Sequence, residues 1–180
     1  MSKGSIALAQ YARDIAATDV LEPHDLHPVL LGLYGEVGGI MATAKKHVRE
    51  GDRYPGYARA ALEEFGDTLW YLAAICRRRS IDFEGLFAEA SASGVNTLIS
   101  VASDLPNGSC ASVIIPSTTE GLDGRLFRLG RSAASLLEGG VDRQKLVAFT
   151  RDYLEALHAA QLVFADVVRG NLKKARGAFI

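Results

Sequence analysis

One stretch constrains this chain more than any other: Leu62-Glu63-Glu64-Phe65-Gly66-Asp67-Thr68-Leu69-Trp70-Tyr71-Leu72. Leu62, Phe65, Leu69, Leu72 and Ala73 recur at helical spacing and form one apolar stripe. Glu64 and Asp67 are spaced i, i+3, and Glu63 and Asp67 i, i+4, so Asp67 neighbours both glutamates on the helix surface. Like charges at that spacing destabilise a bare helix. A helix bound to a core on one side and carrying clustered carboxylates on the other calls for a neutralising partner. A hard divalent cation can supply one, because Mg²⁺ takes oxygen ligands and keeps several waters. The competing reading is an ordinary solvated acidic turn, favoured by the positive end of the helix dipole.

The rest of the chain reads as helices around that stretch. A first helix spans Ser5 to Ala17. Leu21-Glu22-Pro23-His24-Asp25 punctuates, with Asp25 placed as an N-cap for a second helix from Leu26 to Arg49. That helix holds Gly32, Gly35, Gly38 and Gly39, each costing about 1 kcal/mol relative to alanine. So many glycines predict close approach of another backbone or a ligand. After the turn Glu50–Gly56 the acidic helix runs from Tyr57 to Arg79. Its terminal Arg77-Arg78-Arg79 suits the negative end of the dipole. A fourth helix covers Asp82 to Ala90 and resumes through Val95 to Ala102. Ser103 to Gly124 is irregular, with turn chemistry at Asp104–Ser109, a strand or buried loop at Val113–Pro116, and a Ser or Thr cap after Pro116. Two further helices are expected, Leu122 to Leu137 and a long one from Asp142 to Lys174.

The fold class is therefore all-α, a helical bundle. Its divisions are a first half at 1–102, a linker at 103–124, and a C-terminal half at 125–180 in the same core. The second half echoes the first as a medium helix, a turn and a long helix. It reads either as a degenerate repeat or as two helical hairpins of similar length. Arg131 falls near the place of Glu36, and Arg151-Asp152 near that of Glu63-Glu64, so the carboxylates are not repeated.

Composition excludes some functions. A net charge of −1 over 180 residues leaves no basic stripe for nucleic acid. Cys76 and Cys110 fit no metal spacing, and reduced thiols suit the cytoplasm. No apolar run approaches a membrane span. His24 and His27 read as surface residues, and no glycine loop follows a strand to cradle phosphate.

A hairpin of the second and third helices can bring Glu36 opposite Glu64 and Asp67, inside a bundle where metal sites are built. Here the sequence resembles the MazG-like, all-α nucleoside triphosphate pyrophosphohydrolases, which carry E-x-x-E on one helix and E-x-x-D on the next. Leu31–Gly39 resembles the first motif, Lys45-Lys46 and Arg49-Glu50-Gly51 its continuation, and Leu62–Leu72 the second motif. Asn171-Leu172-Lys173-Lys174-Ala175-Arg176 resembles a basic segment that closes many members.

The resemblance implies Mg²⁺, or Mn²⁺, held by Glu36, Glu64 and Asp67. It implies water orientation by Glu63 or Glu64, and substrate contacts from Lys45, Lys46, Asn171, Lys174 and Arg176. Trp70 is placed either against a base or in the core. The implied reaction cleaves a nucleoside triphosphate to monophosphate and pyrophosphate, in a homodimer or in hairpins paired within one chain. Gly39, however, stands where the second glutamate of E-x-x-E belongs, and a long insertion precedes the basic segment. Gly39 favours a second reading, a degenerate member that binds nucleotides or a protein partner without turnover, whereas the insertion fits pairing within one chain.

Overall fold

The computed structural model describes residues 5–92, 96–97, 115–116 and 121–177. The helices are α1 (Ser5–Ala16), α2 (His27–Glu50), α3 (Tyr57–Arg78), α4 (Phe83–Ala92), α5 (Leu122–Leu137), α6 (Arg143–Ala159) and α7 (Phe164–Gly177), with a 3₁₀ turn at Gly51–Arg53. The two-residue strands β1 (Asn96–Thr97) and β2 (Ile115–Pro116) pair antiparallel. The all-α bundle expected from the sequence is what forms. The expected resumption of the fourth helix fails at Asn96–Thr97, which are extended. The turn at Asp104–Ser109 and the Ser or Thr cap after Pro116 lie outside the described residues. Leu122, expected as the start of the next helix, begins α5 after Gly121.

Leu26, not Asp25 as expected, is the N-cap of α2 and makes no side-chain cap bond; Asp25 sits one residue earlier and closes the loop, its Oδ1 accepting from the His27 N–H at 2.9 Å. Pro28 sits in the first turn of α2, where no intrahelical donor is needed. The basic run at the end of α3 does more than complement a dipole. Arg78 pairs with the buried Asp19 at 2.6 Å and donates to the carbonyls of Leu21, Glu22 and Asp25. Arg77 pairs with Asp19 as well. Together they clasp the α1–α2 loop to the end of α3. Burial alone would raise the Asp19 carboxyl; hydrogen bonds from Arg78 and the Leu21 N–H, with the charges of Arg77 and Arg78, outweigh it and lower it.

The single long helix expected from Asp142 to Lys174 is broken into α6 and α7. Gln161 takes φ 58° and ends α6, with the Leu162 N–H bonding back to the Leu157 carbonyl at 3.2 Å. α3 ends the same way: Ser80 has φ 54°, and the Ile81 N–H reaches the Cys76 carbonyl at 2.8 Å. Both are left-handed stops of the Schellman kind made without glycine. Counted from these stops, Phe83 corresponds to Phe164, Leu86 to Val167 and Phe87 to Val168, all buried.

α2 and α3 form one hairpin, α5 and α6 another, and α5 also packs on α2. α7 then crosses to α3, and α4 to α6. One apolar cluster joins the seven described helices, including Tyr11, Leu33, Phe65, Leu72, Phe87, Leu129, Phe149 and Val167. Each such side chain, fully buried, contributes about 2 kcal/mol before entropy is set against it. Phe65 and Tyr153 meet edge-on at 5.5 Å where α3 faces α6, and the Tyr153 hydroxyl donates to the Phe65 carbonyl at 3.0 Å.

Candidate functional site

The crossing of α7 onto α3 puts two polar side chains among the acids. It depends on Gly66: a Cβ there would lie 3.1 Å from the Asn171 Cβ. Asn171 is buried, and its Nδ2 donates to Asp67 Oδ1 at 3.2 Å. One turn further, Lys174 Nζ reaches Asp67 Oδ2 at 2.6 Å and Glu63 Oε1 at 2.8 Å. Burial opposes the charge on Lys174, but the two carboxylates outweigh it and raise its pKa. The hydrogen bond from Lys174 in turn lowers Glu63.

Across the hairpin stands Glu36. Burial, then the charges of Asp67 and Glu64, then a hydrogen bond with Glu64, push its carboxyl up to about 7, against a smaller pull from Lys174. Glu36, Asp67, Trp70, Tyr71, Asn171, Lys174 and Thr18 line a cleft of about 270 Å³. Trp70 forms one wall: its Nε1 donates to Thr18 Oγ1 at 2.9 Å, and its ring meets Tyr71 edge-on at 5.0 Å. Trp70 is thus partly core and partly cleft lining.

Glu64 turns away from this cleft toward α2. A Cβ at Gly39 would collide with its carboxylate, so Glu64 occupies the room that a fourth acid would need. Gly32 makes similar room for the ring of Tyr71. Gly35 and Gly38 face open space, and Gly32 and Gly39 make room for side chains of α3, not for the backbone or ligand expected from the sequence.

Lys45 and Lys46 are not brought to the acids. Lys45 borders a separate apolar cleft with Met41, Val48, Leu126 and Phe127, and Lys46 sits over the Tyr54 ring at 4.1 Å. The side chain of Arg176 lies outside the described residues. Sequence reading missed Tyr11 and Thr18, which carry no motif signal, and passed over Tyr71 within the motif it quoted.

All the acidic donors are carboxylate oxygens, the set a hard cation takes, and the shared hydrogen bond of Glu36 and Glu64 marks negative charge in want of a counter-ion. Among the described residues no three Asp, Glu, His or Cys side chains stand together at metal-holding geometry. Asp67 is drawn to Lys174 instead. Among the described residues, too, no helix is long and apolar enough to cross a membrane. The chain matches no family model, no curated protein and no solved structure with which it was compared.

Proposed function

We propose that the chain hydrolyses a nucleoside triphosphate to monophosphate and pyrophosphate with Mg²⁺ or Mn²⁺, as a MazG-like protein whose two hairpins pair within one chain. The observation that carries this reading is the meeting of Glu36 and Asp67 with Asn171 and Lys174 around one cleft, with Glu64 hydrogen-bonded to Glu36. Glu36, Glu64 and Asp67 are the residues to hold the cation. Bound there, it would neutralise phosphate oxygens as charge develops. Lys174, a mobile point charge with three donors, leaves Asp67 for a phosphate oxygen. Glu63, freed by the same movement, or Glu64 orients the attacking water. Trp70 and Tyr71 offer aromatic surface to the base.

The tandem reading is supported by the matching ends of α3 and α6 and by the exchange of α4 and α7 between halves. In the register those ends set, Gln144-Lys145, rather than Arg151-Asp152, stand where Glu63-Glu64 stand, and Ala148 stands where Asp67 does. The second half then keeps no acidic site.

The absence of a ready three-ligand cluster among the described residues and the glycine at position 39 favour a second reading, nucleotide binding without turnover. Pyrophosphate release from a panel of NTPs and dNTPs with Mg²⁺ or Mn²⁺ separates the two. Turnover in the wild type that Glu64→Ala abolishes is expected. A silent wild type that becomes active as Gly39→Glu would establish the degenerate site.

A further inference from the structure

Tyr11 lies on α1, far in sequence from every acid of the cleft, and is 1% exposed. Its hydroxyl donates to Asn171 Oδ1 at 2.8 Å, and the other end of that amide donates to Asp67 Oδ1 at 3.2 Å. Three helices thus supply one chain of hydrogen bonds, Tyr11 to Asn171 to Asp67, and its first two members are buried. The direction of the chain matters. A carboxamide presents an acceptor at one end and donors at the other, and its two orientations differ little in shape. The Asp67 carboxylate, an acceptor only, takes the donor end and leaves the acceptor end facing Tyr11. The hydroxyl of Tyr11 donates to that acceptor end, so the amide is held at both ends. Burial, with the nearby Tyr153 and the charge of Asp67, raises the Tyr11 pKa and keeps the hydroxyl protonated as a donor.

We infer that Tyr11 is a positioning residue, acting through the Asn171 amide to set the Asp67 carboxylate for a divalent cation. With Oδ1 held by Asn171 and Oδ2 by Lys174, the carboxylate plane cannot rotate freely. When Lys174 leaves, Oδ2 is presented while Oδ1 stays anchored. Partners behind a metal ligand act in this way, and their loss commonly lowers metal affinity 10–100-fold. The inference rests on the metal-dependent reading above.

The test is Mn²⁺ affinity of the full chain, measured by calorimetry without nucleotide, in a double-mutant cycle. Tyr11→Phe and Asn171→Ala are each expected to weaken Mn²⁺ binding about tenfold. The double variant is expected to lose no more than either single one, because both break the same chain. Wild-type affinity in Tyr11→Phe, or losses that multiply in the double variant, would overturn the role of Tyr11 while leaving the metal site standing. A wild type that binds no Mn²⁺ overturns the parent reading and the relay with it. Should Tyr11→Phe fail to fold, NMR of the wild type decides. The Asn171 side-chain NH₂ protons must exchange slowly with water, and rapid exchange overturns the proposal.

Discussion

At Glu36, burial and two neighbouring carboxylates act in the same direction, moving the carboxyl from 4.5 to about 7. Between those values the folded protein holds a proton that the unfolded chain has released. Stability from this group is therefore full below pH 4.5 and is lost as pH rises through 7. The group is partly solvated, so the effect is on the order of 1 kcal/mol after screening. Without metal, the melting temperature of the wild type is expected to fall between pH 5 and pH 8. Glu36→Gln is expected to flatten that fall, since an amide cannot ionise. Adding Mn²⁺ at pH 8 should reverse the order, because a ligand that binds only the folded state raises its melting point. The wild type should then gain more than Glu36→Gln. A melting temperature in Glu36→Gln that tracks the wild type across this range would mean that Glu36 feels neither acid.

At the scale of elements, the site depends on how closely α7 lies on α3. Gly66 and Gly170 face that contact from opposite sides, and a Cβ at Gly170 would lie 2.6 Å from Leu62 Cδ2. Gly66→Ala is expected to cost about 1–3 kcal/mol by overpacking and to weaken Mn²⁺ binding by pushing Asn171 from Asp67. Gly35→Ala on α2 meets open space and should gain up to about 1 kcal/mol from helix propensity. Thermal melts of the two variants read these opposite signs directly. Nothing in the sequence distinguished the two glycines, because helical spacing does not say which face another helix will cover. The helices themselves were legible where apolar residues recur over several turns, as in α2 and α3. So was the meeting of Glu36 with the acids of α3, since a hairpin constrains which residues oppose each other. The stop at Gln161 was not legible, because glutamine is no usual left-handed residue. Tyr11 and Asn171 lie 160 positions apart, and local pattern carries no information on such a contact.

At the scale of the whole molecule, the exchange of α4 and α7 leaves neither half with a face of its own to bury. α3 needs α7, α6 needs α4, and Phe65 meets Tyr153 edge-on between α3 and α6. The second half is also bound by charge. Arg125 and Arg128 both pair with the buried Glu155, and burial still raises its carboxyl. Glu155 stands, in the register of the helix ends, where the first half has the apolar Ala74. A buried ion pair adds little over an apolar contact, and Arg125→Met leaves Glu155 paired with Arg128, so its cost is about 1–3 kcal/mol. Arg125→Met should therefore destabilise the acidic first half as much as the second, if the core is one cooperative unit. Trp70 is the single tryptophan and reports α3, whereas far-ultraviolet circular dichroism reports every helix. The two probes are expected to give one midpoint in urea for the wild type, and one lower midpoint for Arg125→Met. A tryptophan transition left in place while the dichroism transition moves would instead make the acidic hairpin an independent domain, with α7 as a separable supplier of Asn171 and Lys174.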